Sequence, residues 1–143
     1  MFARFAALIL AACLGASSAA AAEGEMAPPQ ALEQIQAGRM TIIDIRTPEE
    51  WRQTGTIPGS KHVDMYMAGG SAAFLNSILA AVGGDKAAPL AVICRTGNRS
   101  AKAAAFLRAQ GFGNVTDNSE GMVGGSKGLG WIKRGLPVES CKC

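Results

Sequence analysis

Cys94 is the residue of this 143-residue chain whose type and setting most invite chemistry. It closes the apolar run Leu90-Ala91-Val92-Ile93 and opens Cys94-Arg95-Thr96-Gly97-Asn98-Arg99-Ser100, which leads into an Ala-rich stretch with helical character. A strand running through a short loop into a helix is where open α/β sheets bind ligands. The backbone N–H groups of such a loop converge, the helix adds its positive end, and the result is a bowl for an anion. A thiolate is itself an anion, so the same field, reinforced by Arg95 and Arg99, favours a nucleophilic sulfur. The competing reading is a small buried core cysteine that happens to end a strand. Two flanking arginines, a glycine and a following helix weigh against it.

The elements that must position this loop alternate along the chain. Ala31 to Ala37 has Leu32 and Ile35 at helical spacing with Gly38 as a stop. Thr41 to Ile45 is a β-branched run of the kind buried on both faces of a parallel sheet, interrupted by Asp44. Pro48-Glu49-Glu50-Trp51 predicts a helical turn with proline at its first position, and Gly55 to Gly59 a turn. Lys61-His62-Val63 reads as extended. Ser71 to Val82 predicts a helix with Phe74, Leu75, Ile78 and Leu79 on one face. After the strand at Leu90–Ile93 come a helix over Ser100 to Gln110, a weaker strand over Asn114 to Thr116, and a last short helix around Trp131-Ile132-Lys133. This order predicts a single α/β domain with a mainly parallel central sheet flanked by helices.

Length and charge narrow the function classes. The chain holds one ordinary domain, 48% of its residues are hydrophobic, and its formal charge is +3 with 14 basic and 11 acidic residues. The basic residues are scattered among acids with no aromatic interleaving, so no nucleic-acid partner is expected. Met1 to Ala22 carries Arg4, an apolar run from Phe5 to Leu14 and a small-residue end at Ala20-Ala21-Ala22, the three parts of a signal peptide. Export, to a bacterial periplasm, is the expectation. Leu10-Ala11-Ala12-Cys13 also resembles a lipobox, so membrane attachment is expected only if Cys13 is lipidated. Residues 23–29 read as a tether, 30–138 as the domain, and 139–143 as a cysteine-containing tail.

In an oxidising compartment three cysteines remain beyond the leader, and an odd one is a flag for reactivity while the others pair. Cys141-Lys142-Cys143 accordingly reads as a tail disulfide or idle thiols, with sulfur acceptance or protection of Cys94 as alternatives. Asp44 and Arg46, at a strand end, either form a structural ion pair or support the pocket. His62 reads as structural. Gly121 to Gly130 is glycine-rich, and Gly121 to Gly128 within it reads as a flexible turn, lacking nucleotide-binding spacing. No metal site and no cofactor are expected.

The chain resembles the rhodanese family in four pieces taken in the family's order: Asp44-Ile45-Arg46 with Pro48 to Trp51, Gly55 to Val63, the Cys94 loop, and Gly130-Trp131 through Gly135-Leu136-Pro137-Val138. The resemblance covers most of the chain beyond the leader. It implies a sulfurtransferase in which Cys94 takes the outer sulfur of thiosulfate as a persulfide, releases sulfite, and hands sulfur to cyanide, a thiol or a protein acceptor. It further implies that Arg95, Thr96, Gly97, Asn98, Arg99 and Ser100 bind the donor. A cationic Arg95 resembles thiosulfate users more than mercaptopyruvate users. Two alternatives stay open: a noncatalytic persulfide carrier or redox-interaction module, and a phosphatase or arsenate reductase. The latter is disfavoured because related enzymes of that kind use a longer loop between cysteine and arginine.

Overall fold

The computed structural model describes residues 24–143. The expected leader Met1–Ala22, with Cys13, lies outside the described residues. Four strands, β1 (Thr41–Asp44), β2 (Lys61–His62), β3 (Leu90–Ile93) and β4 (Val115–Asp117), form one sheet in the order β2-β1-β3-β4, parallel throughout. Five helices complete it: α1 (Pro28–Gln36), α2 (Pro48–Thr54), α3 (Gly70–Ala81), α4 (Asn98–Ala109) and α5 (Gly130–Lys133). The expected α/β architecture with a parallel sheet is therefore present.

Side chains of a strand alternate between faces, and both faces here are covered. Ile43, Val92 and Cys94 pack with Phe74 and Ile78 of α3 and Ala103, Ala104 and Leu107 of α4. Ile42, Ala91 and Ile93 pack on the other side with Ala31 of α1, Met122 and Trp131 of α5. This double burial explains why β3 is a continuous apolar run and why β1 carries Ile42 and Ile43 side by side. It also turns the Cys94 side chain toward the α3–α4 layer.

Structure begins earlier than the sequence suggests. The segment read as a tether is docked: Met26 N donates to Asp117 O at 2.9 Å and Asp117 N donates to Gly24 O at 2.8 Å, so Glu25 lies alongside β4. Pro28 then occupies the first turn of α1, where a missing N–H costs nothing. The helix expected from Ser100 starts at Asn98, because Gly97 already forms its N-cap with φ 95°.

Candidate functional site

Cys94 follows β3 at the carboxyl edge of the sheet and is 1% exposed. Its sulfur receives the Gly97 N–H at 3.1 Å and lies 3.4 Å from Ser100 Oγ, which itself donates to Gly97 O at 3.2 Å. Among the described residues the amides of Arg95, Thr96, Asn98, Arg99 and Ser100 make no backbone hydrogen bond. The last three are the unpaired donors that open any α-helix. Unpaired amides in a loop that curls around a sulfur can offer hydrogen bonds to negative charge there without a dedicated cation.

The loop is held by close backbone contact with the segment that follows β4. Met122 N donates to Cys94 O and Val123 N to Arg95 O, both at 2.9 Å. A Cβ on Gly97 would stand 1.9 Å from Ser119 O, and one on Gly121 would stand 2.5 Å from Arg95 O. Both residues also have positive φ, 95° and 69°, which side chains rarely adopt. The glycine-rich stretch read as a flexible turn is therefore a wall of the site. Glu120 fixes it further, accepting from Arg134 Nε and Nη2 at 2.7 Å and from Gly130 N at 3.0 Å.

The other wall is α2. Thr47 and Glu50 form a capping box, with Glu50 N donating to Thr47 Oγ1 at 3.3 Å and Thr47 N donating to Glu50 Oε2 at 3.0 Å. The same Glu50 carboxylate accepts both terminal nitrogens of Arg99, at 2.8 and 2.5 Å. This fork holds the Glu50 carboxyl down at about 2 despite partial burial, and holds the Arg99 guanidinium further in its charged form. The Tyr66 ring lies 6.0 Å from the guanidinium carbon.

Of the six loop residues expected to bind donor, the structure thus separates two roles. Arg99 is committed to Glu50, whereas Arg95 is exposed and makes no ion pair among the described residues. Thr96 is half-buried under Gly125, Asn98 is exposed, and Gly97 and Ser100 are buried against the sulfur. Asp44 and Arg46 are fully buried and paired at 2.7 Å; Arg46 also donates to Thr54 Oγ1 at 2.6 Å and to Gly55 O at 2.9 Å. The pair clamps the end of α2 to the end of β1, so it supports the site through Glu50. His62 stacks on Trp51 with ring centroids 4.9 Å apart. Cys141 and Cys143 are joined in a disulfide, and Cys94 is the free thiol among the described residues.

Sequence reasoning missed Glu50 as a site residue, although Thr47-x-x-Glu50 is a capping signature. It also missed Asp117, a buried carboxyl beside Ser100 whose pKa is raised by burial, with Ser100 pulling it the other way.

Residues 27–127 match the sequence profile described as "Rhodanese-like domain". The chain belongs to that family. It is 38% identical over 90 residues to thiosulfate sulfurtransferase GlpE of Pseudomonas paraeruginosa, an alignment that spans 63% of this chain and 72% of the relative. Its fold resembles a rhodanese-related protein from Thermoplasma volcanium, with a TM-score of 0.59 and 28% identity over 82% of this chain and 98% of the other. It is likewise similar to the polysulfide-sulfur transferase homodimer of Wolinella succinogenes, at TM-score 0.61 and 26% identity over 82% and 79% of the two chains. As a member of the rhodanese-like family, the chain carries its candidate nucleophile where the sheet's carboxyl edge meets α4.

Proposed function

We propose that this protein moves sulfane sulfur from thiosulfate to a thiophilic acceptor, cyanide or a thiol, through a persulfide on Cys94. The observation that carries the reading is the sulfur of Cys94 seated against the Gly97 N–H at 3.1 Å, inside a loop whose other amides have no backbone partner. Its similarity to GlpE, named a thiosulfate sulfurtransferase, supports the choice of donor.

The Cys94 thiolate attacks the outer sulfur of thiosulfate. The sulfur–sulfur bond of the donor breaks and its electron pair leaves on sulfite, so no proton has to move in this half-reaction. Arg95, exposed and without an ion pair among the described residues, meets the incoming dianion, with Thr96 and Asn98 beside it. The loop amides then hold the outer sulfur of the persulfide, and Arg99, fixed by Glu50, keeps one edge of the bowl positive. An acceptor nucleophile removes that sulfur and returns the thiolate. The protein is further proposed to act after export, freed by cleavage behind Ala22 or tethered through a lipid on Cys13.

Purified protein should convert thiosulfate and cyanide to thiocyanate over many turnovers, and Cys94→Ser should abolish this. Intact mass should show one added sulfur after thiosulfate alone, lost again after cyanide. A single loading without turnover would replace catalysis by sulfur carriage, and an unchanged mass would end the proposal. The mass of the exported protein reports the cleavage site and any lipid directly.

A further inference from the structure

One face of α4 leads away from the cysteine loop into a cavity. Arg99, Lys102, Ala103 and Phe106 are spaced three and four apart and so share one stripe of the helix. Arg99 belongs to the loop, and the other three line a cavity of about 520 Å³. That volume lies within the range of small-ligand sites, roughly 300–1,000 Å³. Met65, Met67 and Phe74 form the facing wall. All three pack against the core cluster that contains Cys94.

The mouth has a different character from the interior. Tyr66 is 66% exposed, and its ring lies 6.0 Å from the Arg99 guanidinium carbon, so it bridges the cavity and the loop. Lys102 is exposed at the rim and makes no ion pair or hydrogen bond among the described residues. An apolar chamber with a cation at its lip, set beside the helix that the nucleophile's loop opens and reached from that loop past Tyr66, specifies a ligand that is apolar in its body and singly anionic.

We propose that this cavity binds the sulfur acceptor, and that the acceptor is a small organic thiol carrying an aryl or branched alkyl body and one carboxylate. The inference rests on the reading of Cys94 as a persulfide carrier. Ala103 and Phe106 follow Arg99 by about 6 and 10 Å of helical rise, a span that a single-ring thiol covers with its sulfur at the loop. Met65, Met67, Phe74 and Phe106 enclose the body, and Lys102 meets the carboxylate. The acceptor thiolate attacks the outer sulfur of the Cys94 persulfide. The bond between the two sulfurs breaks, its pair returns to Cys94 as thiolate, and the acceptor departs as a persulfide anion whose charge stays on the transferred sulfur. Cyanide and small hydrophilic thiols attack the same persulfide but leave the chamber empty.

The test compares acceptors that share one thiol environment: thiolactate, β-phenylthiolactate, and the analogue of the latter with methyl in place of carboxylate. Sulfite release from thiosulfate is followed in steady state, with cyanide as the reference acceptor. The KM for β-phenylthiolactate should be at least about tenfold below that for thiolactate. Lys102→Gln should raise the KM for β-phenylthiolactate about fivefold and leave the uncharged analogue unmoved. Ser71→Trp, at the exposed lip, should raise the KM for both phenyl-bearing thiols and spare thiolactate and cyanide. Equal KM values for thiolactate and its phenyl derivative would overturn the inference, as would variants that shift all acceptors alike. In either case, continued turnover with cyanide leaves the sulfurtransferase reading standing. Failure with cyanide as well removes that reading instead.

Discussion

The cysteine loop is gripped from two sides by different means. On the α2 side the hold is a chain of satisfied polar side chains: Asp44 to Arg46, Arg46 to Thr54 and Gly55, Thr47 to Glu50, and Glu50 to Arg99. On the side that follows β4 the hold is backbone, with Met122 and Val123 paired to Cys94 and Arg95 and with Gly97 and Gly121 allowing carbonyls to approach. There Glu120 is paired with Arg134, but the side chains nearest the end of β4 are poorly served. Among the described residues, neither oxygen of Asp117, nor the side-chain oxygen or nitrogen of Asn118, has a hydrogen-bond partner, although both residues are buried. Charge tunes one wall, and the space available to main chain shapes the other. The two should fail differently when altered.

The backbone wall should give the largest effect on turnover. Gly97→Ala places a methyl 1.9 Å from Ser119 O at a φ of 95°, so either the loop or the 118–123 segment must move. A displacement of about 1 Å at a reacting centre costs on the order of a hundredfold in rate. Thiosulfate:cyanide turnover should fall by at least that factor, with a loss of roughly 2 kcal/mol or more in denaturant unfolding. Gly97→Ala with near-normal turnover would show that the loop is not held by this contact.

The side-chain wall should give the next. Arg46→Ala leaves the buried Asp44 carboxylate without its partner and releases the end of α2. Breaking a buried pair in this way costs about 3–5 kcal/mol. Urea unfolding should show the loss, and the folded fraction should keep part of its turnover because the amides around Cys94 are untouched.

The distinction between the walls also marks what could be read in the sequence. β1, β3 and the Cys94 loop are legible because each is a local pattern: an apolar run, a strand-to-helix break, a glycine and two arginines. The Glu50–Arg99 fork joins residues 49 apart, and nothing local pairs them. The capping signature at Thr47 places the start of α2 but does not say which cation its acid meets. The docking of residues 24–26 on β4 is made by main-chain hydrogen bonds, which any sequence can form, so a small polar stretch read as a tether. Glycines 121–128 suggested mobility because their side-chain-free positions look the same whether the chain is loose or closely packed.

Titration gives a sharper comparison. The Glu50 carboxyl is held at about 2, below its ordinary value, so its ion pair stabilises the fold above that ordinary value and the contribution is lost as pH falls toward 2. Glu50→Gln should cost roughly 1–2 kcal/mol near neutrality, since solvent still reaches the pair. The deficit against the parent should shrink steadily in unfolding measurements between about pH 5 and pH 2. A deficit that stays constant across this range would mean that Arg99 draws no stability from the charge of Glu50.

Asp117 should respond with the opposite sign. Burial raises its pKa, so its contribution is fully present below the ordinary aspartate value and is lost as pH rises through the folded one. Asp117→Asn removes the ionisation, keeps the size, and should stabilise the protein by about 1 kcal/mol near neutrality, an advantage that vanishes in acid. Because Ser100 Oγ lies 3.4 Å from the Cys94 sulfur and Ser100 also offsets part of the rise at Asp117, turnover is the second readout. Turnover within about twofold of the parent would mean that the wall following β4 serves the site through its main chain, its side chains being replaceable. A fall of tenfold or more, with a shifted pH profile, would instead make Asp117 part of the sulfur's electrostatic setting and erase the contrast between the two walls.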